Sequence, residues 1–153
     1  MRPIIVDRNL HDAIGHTDGY MAFNNQKSIF ISRYPHKTST ITDIEYTQHL
    51  IYSAVRADLD VIPIYDLPSI KKGYCGCEKA KPCFYSAEGT FINFLRLNDT
   101  IILPEYSNCK SQGKDLNVVN ENILIGCGFK VLRINCDLLA TFGGSLHCIS
   151  WQA

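Results

Sequence analysis

The sequence predicts an α/β chain built from two strand-strand-helix-strand modules with flanking strands, on three observations. Short apolar runs bounded by turn residues precede a capped, helix-periodic stretch, another strand follows it, and then the same series recurs. The recurrence has a fixed offset: Ile29 and Ile101, Asp43 and Asp115, Tyr20 and Ile92, and His16 and Glu88 all lie 72 residues apart. A period of this length means one structural unit used twice, its apolar faces meeting at a shared axis. At 153 residues the chain is one domain by length, 1–153, large enough to bury roughly two thirds of its unfolded surface. The modules span about 16–66 and 88–136, and a closing segment, 142–152, follows them.

Taken in order, Ile4-Ile5-Val6 reads as a short leading strand, followed by a polar turn and then Gly15-His16-Thr17-Asp18-Gly19. Tyr20 to Phe23 is a strand, Asn24 to Lys27 a hairpin turn, and Ser28 to Ser32 the returning strand. Thr42 is placed as a helix cap, with Asp43 and Glu45 in the first turn where the positive helix end favours carboxylates. Ile44, His49, Leu50, Ile51, Ala54 and Val55 recur at roughly helical spacing up to Ala57, and Val61 to Tyr65 is a buried strand. Residues 66–88, rich in Gly, Pro, Lys and Cys, form a long connection of the kind that is either a functional lid or disordered. It is expected to border the site and set substrate choice. The second module then reads as a strand from Thr90 to Leu97, a tight turn at Asn98-Asp99, and a strand from Thr100 to Leu103. A helix from about Asp115 to Gly126 is stopped by Gly128, and Phe129 to Ile134 is the last strand.

Composition removes several classes of function. Fifteen basic and fifteen acidic residues give a formal net charge of zero, so there is no electrostatic case for nucleic acid or an anionic membrane. No apolar run approaches the roughly 20 residues that span a bilayer, and Met1-Arg2-Pro3-Ile4 is too short a start for a signal peptide. A cytoplasmic protein is expected, and its seven cysteines then read as reduced thiols. Cys75, Cys77 and Cys83 could hold zinc with a fourth ligand from elsewhere, but they lack the paired C-x2-C spacing of zinc ribbons. Cys109, Cys127 and Cys136 lie in or beside apolar segments and read as small core residues.

Chemistry concentrates at the closing segment, Phe142-Gly143-Gly144-Ser145-Leu146-His147-Cys148-Ile149-Ser150-Trp151-Gln152. The glycine pair permits backbone conformations that a side chain forbids, and a thiol just past it is where a nucleophile would be placed. A nucleophilic thiol needs a neighbouring positive centre, and His16 is the best candidate. Asp18, two residues on, would face the same side of an extended segment, giving a proton carrier beside a fixed negative charge suited to a cationic substrate. His147 would point to the face opposite Cys148 and reads as structural. Glu88 enters only because the repeat makes it equivalent to His16.

Three blocks occur in order along the chain. They are Gly15-His16-Thr17-Asp18; Gly89-Thr90-Phe91-Ile92-Asn93-Phe94 with Ile101-Ile102-Leu103-Pro104 downstream; and Gly143-Gly144-Ser145-Leu146-His147-Cys148-Ile149-Ser150. They closely resemble blocks of the agmatine deiminase family, within the guanidine-modifying superfamily of peptidylarginine deiminase type. The family versions read G-H-V/I-D, then S-Y-x-N-F with an apolar strand ending in Pro, then G-G-x-I/L-H-C-I/T-T/S-x-Q. The departures here are Thr90-Phe91 for Ser-Tyr and Ser150 for Thr, both mild.

The resemblance implies a pentein, an α/β propeller of five such modules around a pseudo-fivefold axis with the active site in its central channel. This chain would be a partial pentein, holding two of the five. The resemblance makes Cys148 the nucleophile that attacks a guanidinium carbon, His16 the general acid and base, and Asp18 a carboxylate that binds two guanidinium nitrogens. Gly144 and Glu88 join Asp18 as expected substrate-binding residues. A thiouronium intermediate would be hydrolysed to an N-carbamoyl product, and the resemblance implies neither a metal nor an organic cofactor. Family members carry a further Asp on the guanidinium and a Glu that assists the histidine in a long N-terminal part, whereas His16 is preceded here by fifteen residues. The expected partners are therefore a small guanidine substrate and another chain, or a second copy, that supplies the missing modules. The alternatives are a minimal enzyme working alone, or a catalytically incomplete pentein that binds guanidines or proteins.

Overall fold

Each half of the chain opens with a hairpin and ends in a strand that a helix delivers. The computed structural model describes residues 6, 16–35, 40–67 and 86–150. The expected leading strand apart from Val6, most of the 66–88 connection including Cys75, Cys77 and Cys83, and Trp151 and Gln152 lie outside the described residues. In the first half β1 (Met21–Phe23) pairs antiparallel with β2 (Ser28–Arg33). Helix α1 (Ile41–Arg56) crosses over, and β3 (Asp60–Tyr65) runs parallel to β2 with Ile29 opposite Val61. The second half repeats this with β4 (Leu95–Leu97) antiparallel to β5 (Thr100–Glu105). A small hairpin of β6 (Lys110–Ser111) and β7 (Lys114–Asp115) follows, then α2 (Leu116–Gly126) and β8 (Lys130–Asn135), parallel to β5 with Ile101 opposite Val131. A short helix, α3 (Asp137–Ala140), leads into the closing segment. The architecture is mixed α/β, with small sheets ordered β1-β2-β3 and β4-β5-β8. None of the described helices is long and apolar enough to cross a membrane.

Helix α1 starts at Thr40, two residues before the expected cap at Thr42. The Thr40 hydroxyl accepts from the Asp43 N–H and the Asp43 carboxylate accepts from the Thr40 N–H, a reciprocal pair that only a threonine three residues before the acid can close. Asp115 caps α2 by accepting from the Asn117 N–H, and Gly128, at φ +93°, ends that helix as expected. The expected strand from Thr90 to Leu97 is shorter than its alternation suggests: only Leu95–Leu97 pairs. The Phe91 and Ile92 N–H groups bond instead to the Asp66 carboxylate, so they are not available to a ladder. The hairpin of β6 and β7 was not expected, although Gln112 (φ 51°) and Gly113 (φ 77°) give the two left-handed positions such a turn requires.

Strand β2 is buried on both faces, as a strand with a parallel neighbour should be. Ile29 and Ile31 pack with Leu50 and Ala54 of α1. Phe30 turns the other way, into a cluster with Ile64, Phe91, Phe94, Leu103, Tyr106, Leu124 and Phe129 that belongs to both halves. The halves are also pinned by Asn120 of α2, whose side-chain amide accepts from the Tyr65 N–H at 2.8 Å and donates to the Tyr65 carbonyl at 2.9 Å. Gly89 meets the same seam. At φ +90° it is strained for any side chain, and an added Cβ would lie 2.9 Å from Leu67 Cβ and 3.0 Å from the Leu67 carbonyl oxygen. Gly89→Ala is expected to destabilise the fold by about 1–3 kcal/mol in urea unfolding, the usual scale of such strain; a loss of only a few tenths would contradict this packing.

Candidate active site

Three separate stretches converge on one carboxylate. The first is the turn Thr17–Gly19, closed by a bond from the Tyr20 N–H to the Thr17 carbonyl, which carries Asp18 just before β1. His16, in extended conformation ahead of that turn, places Nδ1 3.9 Å from Asp18 Oδ1. The two residues do lie together, with His16 extended and Asp18 on the 3-10 turn that follows it.

The second stretch supplies Asn93, which is 2% exposed and bonds through both polar atoms of its side chain and through its carbonyl. Its Nδ2 donates to Asp18 Oδ2 at 2.7 Å and to the Asp18 carbonyl at 3.1 Å. Its Oδ1 accepts from the Cys148 N–H at 3.3 Å, and its own carbonyl accepts from the His147 N–H at 3.1 Å. Asn93 therefore fastens the carboxylate and the thiol-bearing backbone to each other. Its presence in the middle sequence block was visible, but spacing assigned it no role, because the bonds that define it span 75 and 55 residues.

The third stretch is the closing segment. Gly143, at φ 81°, turns the chain after α3, and its N–H bonds to the Ala140 carbonyl. Ser145 is buried with its hydroxyl 3.0 Å from the Tyr106 hydroxyl, which anchors the turn to the core. Residues His147–Ile149 form a 3-10 turn, not the extended segment expected, because consecutive N–H groups of His147 and Cys148 both point at Asn93. This corrects the expected orientation of His147, which does not point to the face opposite Cys148. Its Nδ1 sits 3.3 Å from Asp18 Oδ2, on the same side as the thiol. Cys148 Sγ donates to Asp18 Oδ2 at 3.4 Å, and a Cβ on Gly144 would lie 3.4 Å from Cys148 Cβ. Glu88 lies in a turn rather than at the start of a strand, with its N–H on Ser86 Oγ.

The electrostatics of the pair follow from these contacts. Burial alone would raise the Asp18 carboxyl, but the bonds from Asn93 and Cys148 and the charge of His147 outweigh it and hold the group below the usual carboxylate range. Partial enclosure pushes the Cys148 thiol up; a backbone bond at Ser145 opposes this and the Asp18 charge reinforces it, leaving the thiol above its ordinary value. The two shifts favour an ionised Asp18 beside a protonated thiol. Beside them is a cleft of about 290 Å³ lined by Asp18 and His147 together with Met21, Ala22, Phe23, Ile92 and Phe94. Arg96 also lines it, but its guanidinium donates to the carbonyls of Phe23, Asn24 and Asn98 and lies 4.7 Å from the Phe129 ring centroid. Among the described residues no group of three or more His, Cys, Asp or Glu side chains could hold a metal ion.

The fold and the cluster together define an α/β chain that sets a thiol against an anchored carboxylate with two imidazoles beside it. Residues 6–153 match the family model of the Porphyromonas-type peptidyl-arginine deiminases, and the chain belongs to that family. Among solved structures it is similar to the C. jejuni agmatine deiminase, at 17% identity and a TM-score of 0.65 over 88% of this chain and 38% of that one. It is also similar to the agmatine deiminase of Enterococcus faecalis, at 17% identity and a TM-score of 0.68 over 88% of this chain and 39% of that one. The chain thus spans about two fifths of the length of these enzymes and shares the fold of that part. No curated protein matches it.

Proposed function

We propose that the chain carries the nucleophile-bearing part of a guanidine hydrolase of agmatine deiminase type, cytoplasmic and part of a pentein. The observation that supports this best is the 3.4 Å contact between Cys148 Sγ and Asp18 Oδ2, with Asn93 holding both sides. A planar guanidinium is matched by a carboxylate in a two-pronged geometry, so a substrate on Asp18 would bring its central carbon against the sulfur. The same cation would offset the charge that keeps the thiol protonated, favouring thiolate only when substrate is bound.

The reaction then runs in two halves. The thiol gives its proton to solvent as substrate binds, the thiolate forms a C–S bond to the guanidinium carbon, a C–N bond breaks, and ammonia leaves with a proton from a protonated His16 imidazole. The resulting S-alkylthiouronium is attacked by water, which gives one proton back to His16 and the other to solvent as the C–S bond breaks. The N-carbamoyl product departs, and the regenerated thiolate takes up a proton from solvent. No metal or cofactor enters. His147, on the other oxygen of Asp18, flanks the carboxylate without a step of its own.

The test is incubation with agmatine and with arginine, measuring ammonia and ureido product. Turnover abolished by Cys148→Ala is expected, and turnover that survives it contradicts the nucleophile. His16→Ala should lower the rate by about 10²–10⁴, the scale of a lost general acid-base. His147→Ala should cost about tenfold at most, as loss of one partly exposed polar contact to Asp18. Equal losses would leave the proton carrier wrongly assigned.

Completion of the site by another chain or a second copy is supported by one surface. Helix α2 packs against both β3 and β8, yet β8 leaves Leu132 60% and Ile134 47% exposed, and Leu138 of α3 is 75% exposed. Exposed apolar residues of this kind invite association. A mass in solution equal to one chain, unchanged with concentration and with substrate, would argue against self-association.

A further inference from the structure

Asp66, one residue past the end of β3, is a buried carboxyl that the proposed chemistry does not use. Ser32 Oγ donates to its Oδ2 at 2.5 Å, and the N–H groups of Phe91 and Ile92 donate to its Oδ1 at 2.7 and 3.1 Å. All four residues are buried, each no more than 1% exposed. A carboxyl in such a place is costly unless its acceptor sites are filled, and here three donors fill them. The two N–H groups it holds belong to the residues immediately before Asn93. They are the groups that would otherwise extend β4 backwards, along which alternate side chains would face opposite ways.

We propose that Asp66 is a positioning residue for the candidate active site: by holding the Phe91 and Ile92 N–H groups it fixes the backbone path on which Asn93 spans Asp18 and Cys148. Its effect on catalysis rests on the guanidine reading above, but its effect on the Asp18–Cys148 geometry does not. The acceptor oxygen matters here, not the charge. Burial pushes the carboxyl up to about 7 against the bonds from Ser32, Ile92 and Phe91. The titratable groups facing it, Tyr34 and Tyr106, are themselves pushed upward by burial and stay neutral. Asparagine, of the same shape and with one acceptor oxygen, should therefore serve in its place, and alanine should not.

The test follows Cys148 rather than turnover. Alkylation of the whole chain by iodoacetamide across pH, and by 2-chloroacetamidine at neutral pH, is quantified on the Cys148 peptide, with near-UV circular dichroism reporting the fold. Asp66→Asn should behave as the unsubstituted chain. In Asp66→Ala the released Asn93 lets Asp18 drift from the sulfur. The iodoacetamide midpoint should fall by about half a unit as that charge recedes. The preference for amidine over amide should fall about tenfold, the effect of losing one hydrogen bond to a charged group. If Asp66→Ala does not fold, Ser32→Ala removes one donor to Asp66 and should shift both readouts the same way by less. A folded Asp66→Ala, or Ser32→Ala in its stead, with both readouts unchanged overturns the proposal, as does an Asp66→Asn impaired as severely as Asp66→Ala. If the unsubstituted chain shows no amidine preference while Asp66→Ala still moves the midpoint, the guanidine reading fails and the positioning role of Asp66 stands.

Discussion

Asp18→Asn is expected to move two properties of Cys148 in opposite directions. Labelling by 2-chloroacetamidine, which needs a carboxylate to seat the amidinium, should fall by two to three orders of magnitude, from the loss of two charge-assisted bonds of about 1.5–3 kcal/mol each less what neutral asparagine retains. Labelling by neutral iodoacetamide should become faster at pH 7–8. The thiol is held above its ordinary value by enclosure and by the Asp18 charge, so removing that charge lowers its titration and raises the thiolate fraction at any pH below the midpoint. A merely unfolded or loosened variant would speed both reagents. Both rates falling together would mean that Asp18 organises the segment around Cys148 without facing the substrate.

Asn93→Asp should be the most damaging single exchange in the site. It replaces a donor 2.7 Å from Asp18 Oδ2 with a second carboxylate oxygen, and two carboxylates at that separation cannot both stay ionised. The Asp18 carboxyl, now low, should share a proton with its new neighbour near neutral pH. Each unit by which their titration rises in the folded state above the unfolded value corresponds to about 1.4 kcal/mol. The sign is fixed: this stability is complete below the unfolded carboxyl value and is lost as pH rises through the raised one. Urea midpoints of Asn93→Asp should therefore approach those of the unsubstituted chain near pH 4–5 and fall away towards pH 8. A constant difference across that range would remove Asn93 from the bridge.

The local elements were legible because their signals are local. The turn residues Asn24 to Lys27, the cap at Asp115 and the stop at Gly128 lie within a few residues of the elements they bound. The 72-residue offset also identified β2 and β5 as counterparts, and each has a helix-delivered parallel neighbour. Two local readings still missed, the cap at Thr42 rather than Thr40 and the β6-β7 hairpin, and readings that extended an alternation through the candidate site failed as well. Thr90 to Ile92 look like a strand, but Asp66, 25 residues earlier, takes two of their N–H groups. His147 and Cys148 alternate in polarity, but Asn93, 54 and 55 residues earlier, bends them into a turn that brings both to Asp18. Cys148, His16 and Asp18 were picked out as candidates by residue type and by their resemblance to known blocks, and the structure brings His16 and Cys148 to Asp18. Asn93 and Asp66 act through buried bonds of long sequence separation, which no local pattern encodes.

Direct observation of the intermediate tests the pairing of Cys148 with Asp18 most sharply. The chain is mixed with agmatine, quenched in acid within seconds, and the peptide containing Cys148 is weighed. The expected result is a mass increase of agmatine less ammonia on Cys148, absent in Cys148→Ser and strongly reduced in Asp18→Asn. Ureido product formed by Cys148→Ala at an undiminished rate, or an adduct carried by another cysteine, would contradict it.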